Sequence, residues 1–405
     1  MKLSPDPTFN FNLLRWIGTA PYSGADIAEV LDLAGRLTPG DFESWHTEFH
    51  TLAKRVTTEG WDDDSTSSVT RRDRAFRAAS YYRAADFFLH GNPVDPRIEQ
   101  TWAAATEQFD RAITELDPAG ERVTIQADRF AIPAIFYRAG RDRTPRPTIL
   151  MFNGFDGSQE EMLHLCGFAA LERGFNVLTF EGPGQPSVVR GQGLGFRHDW
   201  EAVVTPVVDY CQTAPEIDTS LLGLLGVSFG GYLAPRAAAF EPRIRAVVTI
   251  DGLYDGYQSV LGLLTPELRT VLDAGDADGF NAAVRRAMSD NNGLRWYIEQ
   301  GLWSFRAASP YEFFEQARPY TLEGVTDRIT CPVLVCSATT DHFNPGQAEK
   351  LAEALGEWAT LRPFTPAESA ATHSHPGASV LLNGVVLDWL TKTFRAPAVV
   401  LGKAR

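Results

Sequence analysis

The chain has 405 residues, of which 44% are hydrophobic and 22% are charged. This composition is typical of a globular enzyme and excludes a disordered or fibrous chain. The formal net charge of −14 at pH 7 argues against a nucleic-acid partner, because phosphate contacts require clustered Lys and Arg side chains. The length favours two domains or one large domain with insertions.

The N-terminal segment, MKLSPDPTFNFNLLRW, contains Pro and Asp where a signal peptide needs an apolar core. The sequence also contains no run of eighteen apolar residues. We therefore expect a cytoplasmic protein with no membrane-spanning segment, and we expect the four cysteines to be reduced thiols.

The first part of the chain has helical periodicity. Apolar residues recur at spacings of three and four in ADIAEVLDLAGRL, FESWHTEFHTLAKRV, RAFRAASYYRAADFFLH and PRIEQTWAAATEQFDRAITEL. Pro, Gly and the polar segment WDDDSTSS separate these stretches, and its aspartates at 62–64 predict solvated charge. We predict an all-helical N-terminal domain over residues 1–117.

After residue 117 the pattern changes to that of a sheet. ERVTIQAD and AIPAIFYRAG alternate like a hairpin of half-buried strands. Short apolar runs follow, most of them ahead of a helical stretch: PTILMFNG, FNVLTFEG, LLGLLGVS, IRAVVTIDG, PVLVCSAT and WATLRPF. Apolar strands that alternate with helices predict an α/β fold with a mostly parallel sheet covered on both faces. This domain is expected to span residues 118–405.

The α/β domain contains one long interruption. Between IRAVVTIDG and PVLVCSAT lies a long segment that is helical in its periodicity and rich in aromatic residues. Because a structureless loop of that length is uncommon inside a compact domain, we predict a helical lid over about residues 255–325. Some of its aromatic side chains are expected to line an apolar pocket, and the candidates are Trp296, Tyr297, Trp303, Phe305, Tyr311, Phe313 and Phe314.

The strongest chemical signal is Gly226-Val227-Ser228-Phe229-Gly230, which matches the pattern G-x-S-x-G between an apolar strand and a helix. In such a sharp turn the residues two before and two after the serine have to be small. Gly226 and Gly230 meet this requirement, and Gly231 leaves further space beside the turn. The turn raises the hydroxyl above the sheet, and the helix N-terminus favours developing negative charge. Ser228 is therefore the candidate nucleophile.

A serine nucleophile needs a general base, and the base needs an orienting carboxylate. With this turn the three residues follow in the chain order Ser, acid, His. Asp341 follows the strand after the lid, and His373 and His375 follow the next strand. Asp251, at the end of IRAVVTIDG, is an alternative acid, and either histidine fits the position of the base.

The tetrahedral intermediate of such a reaction needs two backbone N–H donors. Phe229 follows the nucleophile, and Phe155 lies in the loop NGFDGSQEE after an earlier strand, so we predict that these two residues form an oxyanion hole. Contacts to a substrate are predicted for a further five residues: Asp156, Tyr254, Asp255, Trp303 and His375.

Several segments resemble the α/β-hydrolase superfamily: NGFDGSQEEM, FEGPGQPS, FRHDWEAVVTPVVDY and GVSFGGYLAPRAAAFEPRIRAVVTIDG. With RAASYYRAADFFL in the helical part, the chain is similar to the branch that includes 2,6-dihydroxypseudooxynicotine hydrolase and the FrsA-like enzymes. The segment SAATHSHPGA aligns His373 with the histidine of this branch, while Ser374 replaces its cysteine. The loop from Glu181 to Pro186 departs from the branch's usual DGPGQG.

The resemblance implies a Ser228–Asp341–His373 triad that hydrolyses esters or carbon–carbon bonds beside ketones, and it implies a homodimer. The expected substrate is a small aromatic or polyketide-like carbonyl compound. Two other functions stay open: a biosynthetic acyltransferase or cyclase with the same triad, and a non-catalytic binding protein. No metal or other cofactor is expected, because neither the 373/375 nor the 46/50 histidine pair has further ligands at a suitable spacing.

Overall fold

The computed structural model describes residues 2–58 and 66–397, so the acidic segment at 62–64 lies outside the described residues. Within them, five α-helices precede the first strand, and most begin at a side chain that caps the free N–H groups of the first turn. Asp6, for example, accepts from the Phe9 N–H, and Ser67 accepts from the Thr70 N–H. The five helices are α1 (Pro7–Ile17), α2 (Ile27–Ala34), α3 (Phe42–Thr58), α4 (Ser68–Asp86) and α5 (Pro96–Thr114).

Helix α4 is buried on all sides in its second half. Every residue from Ala78 to Asp86 is buried, and this stretch includes the charged side chains of Arg83 and Asp86. Buried charges require partners, because an unpaired ion in the protein interior is strongly destabilising. Arg83 and Asp86 pair with each other, and their further partners lie in other segments, as described below.

Eight strands form one sheet in the order β1-β2-β4-β3-β5-β6-β7-β8. The hairpin of β1 and β2 is antiparallel, β2 pairs antiparallel with β4, and all later pairs are parallel. The predicted mostly parallel sheet with a leading hairpin is confirmed. The strands are β1 (Glu121–Gln126), β2 (Ala131–Tyr137), β3 (Arg146–Phe152), β4 (Asn176–Phe180), β5 (Ile217–Val227), β6 (Ala246–Ile250), β7 (Val333–Ala338) and β8 (Ala359–Phe364).

The apolar strand residues face two separate cores, one on each side of the sheet. In β3, Leu150 and Phe152 belong to one buried cluster, while Ile149 and Met151 belong to the other. Successive side chains of a strand point to opposite faces, so a strand between two helical layers must be apolar at nearly every position. This explains the continuous apolar runs in the sequence.

The remaining helices cover the sheet or form the segment between β6 and β7. Those around the sheet are α6 (Gln159–Met162), α7 (Phe168–Glu172), α8 (Pro186–Gln192), α9 (Glu201–Thr213), α10 (Gly230–Ala238), α16 (Gln347–Leu355) and α17 (Ser379–Arg395). Those between β6 and β7, called the lid here, are α11 (Gly256–Leu261), α12 (Pro266–Asp273), α13 (Ala277–Ser289), α14 (Asn292–Phe305) and α15 (Pro310–Ala317).

Helix α5 ends at Thr114 and β1 begins at Glu121, on either side of residue 117. The division into two separate domains stays a prediction. The four cysteines are free and buried. In the part of the chain that the structure describes, no helix has both the length and the apolar character needed to cross a membrane.

Gly231 sets the distance between α10 and the end of β6, since a Cβ atom there would overlap the Asp251 carbonyl oxygen. Gly231→Ala is expected to lower the free energy of unfolding by about 1–3 kcal/mol, the usual cost of overpacking. Gly384→Ala in α17 is the matched control, because a Cβ atom there meets nothing within 4 Å. It should leave stability unchanged or raise it by up to about 1 kcal/mol. Chemical denaturation measures both, and equal stability of the two variants would contradict the packing argument.

Candidate active site

Ser228 occupies the turn between β5 and α10 and has a φ of 58°, in the left-handed region. A non-glycine residue there costs about 1–3 kcal/mol, so the surrounding structure has to hold it. The Ser228 N–H donates to the carbonyl of Ile250 at the end of β6. A Cβ atom at Gly226 would overlap the Gly230 carbonyl, which explains the glycine two residues before the serine. At Gly230 the nearest atom to an added Cβ would lie 3.4 Å away, which is an ordinary van der Waals contact. Gly226 and Gly231 are therefore the more constrained positions.

The structure brings Ser228, His373 and Asp341 together in one hydrogen-bonded line. Ser228 Oγ lies 2.8 Å from His373 Nε2, and His373 Nδ1 lies 2.8 Å from Asp341 Oδ2. Since a carboxylate only accepts, His373 carries its proton on Nδ1 and receives the Ser228 hydroxyl hydrogen on Nε2. The other oxygen of Asp341 accepts from the N–H groups of Phe343 and Asn344 at 2.8 and 3.0 Å.

Asp251 and His375, the alternative acid and base, lie next to each other beside the His373–Asp341 pair. Asp251 Oδ2 is 3.6 Å from His373 Nδ1, farther than Asp341, and it accepts from the Ser374 N–H at 2.9 Å. His375 Nδ1 donates to the Ala370 carbonyl at 2.6 Å, and its Nε2 lies 2.9 Å from Asp251 Oδ1. Ser374 and His375 have φ values of 55° and 53°, and Asp251 holds this strained turn through the Ser374 N–H.

The charges around His373 favour its protonated form. Burial lowers the pKa of His373, but Asp341, and then Asp251 and Asp156, outweigh burial and bring the pKa above its ordinary value. Burial raises the pKa of Asp341, but His373 and the two backbone N–H groups outweigh it, so this pKa lies below its ordinary value. The pair therefore consists of an ionised carboxylate and an imidazole whose basicity is enhanced.

The two predicted oxyanion donors lie on adjoining backbone segments. A Cβ atom at Gly154 would lie 2.5 Å from the Phe229 nitrogen, so the loop after β3 packs directly on the serine turn. Within the described residues, neither the Phe155 nor the Phe229 N–H donates a hydrogen bond. Two free N–H groups beside a serine hydroxyl are what a developing oxyanion requires.

A cavity of about 110 Å³ opens in front of Ser228. An engineered cavity of about 150 Å³ binds benzene, so the space holds a group of roughly one ring. Nine Phe, Tyr and Trp side chains belong to its lining: Phe11, Phe155, Phe229, Trp296, Tyr297, Phe305, Phe313, Tyr320 and Phe343. Arg15, Asp156 and Glu161 also line it, and Arg15 Nη1 lies 2.9 Å from Asp156 while its Nε lies 2.6 Å from Glu161.

Of the five residues predicted to contact substrate, Asp156 and His375 line this cavity. The other three, Tyr254, Asp255 and Trp303, do not line it, and a contact of these side chains with substrate stays a prediction. Asp255 caps helix α11 by accepting from the Gln258 N–H, and the backbone carbonyl of Tyr254 accepts from the Leu322 N–H. Trp303 faces away from the cavity and stacks on His90, with ring centroids 4.9 Å apart.

Among the described residues, one group of three has ligand atoms close enough to hold a metal ion: Asp251, Asp341 and His373, with these atoms within 4.8 Å of one another. These atoms already make the hydrogen bonds described above. A metal ion here would replace the bond between His373 and Asp341, so the group is accounted for by the triad geometry.

The family model described as the alpha/beta hydrolase family matches residues 149–383, more than half of the chain. This chain belongs to the α/β-hydrolase family. A second model, described as esterase FrsA-like, matches residues 39–257 and thus includes much of the helical part. The resemblance predicted from the sequence is confirmed.

Relatives of this α/β hydrolase extend over nearly its whole length. The 20-hydroxy-prefusarin hydrolase of Gibberella moniliformis is 32% identical over 99% of this chain and 100% of its own. A hydrolyase of Penicillium oxalicum is 35% identical over 85% of each chain. The crystal structure of 2,6-dihydroxy-pseudo-oxynicotine hydrolase aligns with a TM-score of 0.71 over 94% of this chain and 97% of that one. At 21% identity this likeness shows a shared fold. The protein is an enzyme of the hydrolase class.

Sequence reasoning missed the charged residues that the helical part of this α/β hydrolase supplies to the site. Arg15 lines the cavity, yet the acids it binds, Asp156 and Glu161, lie 141 and 146 residues away in the chain. A single arginine on an amphipathic helix carries no local signal of such partners. The capping pattern at Asp255-Gly-Tyr-Gln258, in contrast, indicates a helix start and explains that residue without a substrate.

Asp251→Asn is expected to lower the pKa of His373, because it removes a negative charge 3.6 Å from Nδ1. The pKa of the wild-type imidazole should lie above the ordinary histidine value, and the pKa of the variant should lie below that of the wild type. NMR titration of ¹³C-labelled histidine measures both, with His373→Ala used to assign the signal. Asp278→Asn, on the exposed face of α13, should leave this pKa unchanged. An unchanged or higher pKa in Asp251→Asn would contradict the electrostatic account.

Proposed function

We propose that the protein is a serine hydrolase that cleaves a small carbonyl substrate through an acyl-enzyme on Ser228. The observation that carries the proposal is the continuous line Ser228 Oγ–His373 Nε2–Asp341, with both distances at 2.8 Å. The full-length relative named for 20-hydroxy-prefusarin favours hydrolysis over mere binding.

In this mechanism Ser228 Oγ attacks the carbonyl carbon while its proton moves to His373 Nε2. Asp341 holds the imidazolium that forms, and the Phe155 and Phe229 N–H groups bind the oxyanion. Loss of one such donor typically costs about 3–4 kcal/mol of transition-state stabilisation. The leaving group then departs with the proton of His373, and a water molecule activated by the same imidazole releases the acid.

The bond that breaks is a carbon–carbon bond or an ester. An ester releases an alkoxide, whereas carbon–carbon cleavage releases a carbanion, which a neighbouring ketone must stabilise as an enolate. The substrate is therefore a β-diketone-type compound or an ester. The aromatic lining supports an apolar acyl group of about one ring next to Ser228. A polyketide-like substrate of larger size needs the lid helices to move apart.

A panel of p-nitrophenyl esters and aromatic β-diketones tests this proposal. We expect turnover of both classes, release of the free acid, and a loss of at least about 10³-fold in Ser228→Ala. Turnover of esters but of no diketone would contradict carbon–carbon cleavage. Transferred or cyclised acyl products in place of acids would favour an acyltransferase or cyclase. No turnover, together with no fluorophosphonate labelling of the wild type, would contradict catalysis by Ser228 altogether.

Single alanine variants of the two histidines test the assignment of the base. His373→Ala is expected to abolish ester turnover, because it removes the group that accepts the Ser228 proton. His375→Ala should retain activity at a reduced level, since this side chain lies beside Asp251 and does not contact Ser228 or Asp341. Circular dichroism of both variants provides the folding control. The reverse result, activity in His373→Ala and none in His375→Ala, would contradict the assignment.

A further inference from the structure

The segment Phe155–Asp156, which begins with the proposed oxyanion donor Phe155 N–H, is held at its two carbonyl groups by buried side chains from distant segments. Gln300 Nε2, from lid helix α14, donates to the Phe155 carbonyl at 2.9 Å. Arg83 Nη2, from the buried half of α4, donates to the Asp156 carbonyl at 2.5 Å. Arg83 and Gln300 lie 73 and 145 residues away from the residues they bind.

The same two side chains are also joined to each other behind the loop. His90 Nδ1 lies 2.6 Å from Gln300 Oε1, and Arg83 Nη1 donates to Asp86 Oδ2 at 2.6 Å. Arg190 Nη2 joins these two pairs, because it donates to Asp86 Oδ2 at 2.7 Å and lies 3.2 Å from His90 Nε2. Gln300, His90, Arg190, Asp86 and Arg83 therefore form a closed chain of hydrogen bonds, called the clamp here, whose two ends meet on the Phe155–Asp156 segment.

Donor and acceptor roles in the clamp are fully determined. Because the Phe155 carbonyl can only accept, the Gln300 amide nitrogen faces it, and Gln300 Oε1 must accept from His90 Nδ1–H. His90 Nε2 is then the acceptor for Arg190, which requires a neutral imidazole. Burial lowers the pKa of His90 despite the nearby Asp86, in agreement with this state.

The clamp lies in the protein interior. Asp86 is 0% exposed, Gln300 is 4% and His90 is 6% exposed, and the ring of Trp303 covers His90. Burial raises the pKa of Asp86, but Arg190 and Arg83 outweigh it, so this carboxylate is ionised. The hydrogen bonds of the clamp, formed away from water, restrict its side chains to one arrangement, although Asp86 Oδ1 and the Nε groups of Arg83 and Arg190 have no partner.

We propose that Gln300 and Arg83 are positioning residues that hold the Phe155 N–H in the oxyanion hole. This inference rests on the proposed acyl-enzyme chemistry at Ser228. Because Gln300 belongs to the lid, the hole is complete only while α14 lies against the loop after β3. Lid opening, which a large substrate requires, therefore weakens the hole, and lid closure restores it around the bound substrate. Misplacement of a catalytic group by about 1 Å can cost about 10²-fold in rate.

Gln300→Leu and Arg83→Lys test the clamp. Leucine keeps the approximate size of Gln300 but donates no hydrogen bond to the Phe155 carbonyl. Lysine keeps a positive charge beside Asp86 but lacks the second guanidinium nitrogen that donates to the Asp156 carbonyl. For both variants we expect kcat for a p-nitrophenyl ester to fall by about 10- to 100-fold, within the loss typical of an oxyanion donor, with KM changed by less than about threefold. Gln316→Leu, on lid helix α15, is the matched control and should retain wild-type rates.

A pair of ligands separates positioning from a general structural defect. Phenyl trifluoromethyl ketone forms a hemiketal: Ser228 Oγ bonds to the carbonyl carbon, the hydroxyl proton moves to His373, and the oxyanion enters the hole. Its inhibition constant should rise in parallel with the loss of kcat. The corresponding alcohol forms no bond, and its dissociation constant should stay within about twofold of the wild type. Thermal unfolding verifies that each variant is folded.

Wild-type activity distinguishes failure of the clamp from failure of the proposed function. If the wild type turns over the ester and is inhibited by the ketone, but both variants match it, the clamp is refuted and Ser228 chemistry stands. Equal weakening of ketone and alcohol binding would also refute positioning, since it indicates a distorted pocket. If the wild type itself shows neither turnover nor inhibition, the proposed function fails and the clamp inference fails with it.

Discussion

The left-handed backbone at Ser228 is the constraint on which the rest of the site depends. The serine hydroxyl stands above the sheet only while this turn is sharp, and two neighbouring segments hold it. The end of β6 accepts the Ser228 N–H at Ile250, and its next residue packs on Gly231. The loop after β3 packs on the turn through Gly154. Each of these segments also carries a chemical group, so one strained turn sets the position of several.

The end of β6 shows how scaffold and chemistry share residues. The Asp251 carbonyl limits the approach of α10, while its carboxylate accepts from the Ser374 N–H in the strained turn of Ser374 and His375. The same carboxylate adds negative charge near His373. Thr340, next to Asp341, donates to the Ala371 carbonyl at 2.9 Å and so joins the loop after β7 to the loop that carries His373. A change at Asp251 therefore affects both the position of the histidine turn and the basicity of His373.

The N-terminal helices do more than cover the cavity. Arg15 and Arg83 are both directed at Asp156, one at its carboxylate and the other at its carbonyl. Phe11 in α1 lies 6.4 Å from the ring of His373, and the Ser379 hydroxyl of α17 donates to the Gly18 carbonyl. The first and last helices thus meet at the active site, and the helical part contributes to it as directly as the lid does.

The sequence predicts the parts of this site that carry local signals. The apolar strand before Ser228, the glycines around it and the chain order of acid and histidine follow from spacing alone, and the parallel sheet follows from its continuous apolar runs. The positions of Arg83 and Gln300 could not be predicted, because each meets the Phe155 loop across more than seventy residues of chain. The packing of Trp303 on His90 could not be predicted for a related reason: helical spacing indicates that a residue is buried but does not indicate which neighbour it packs on.

The central claim is that a covalent acyl-enzyme forms on Ser228. Intact-protein mass spectrometry, after millisecond mixing with an aromatic p-nitrophenyl ester and acid quench, tests it most directly. The account predicts a transient mass increase equal to one acyl group, located by peptide mapping on the segment that contains Ser228 and absent from Ser228→Ala. Turnover of the ester without any adduct on that segment, or with the same adduct in Ser228→Ala, would contradict it.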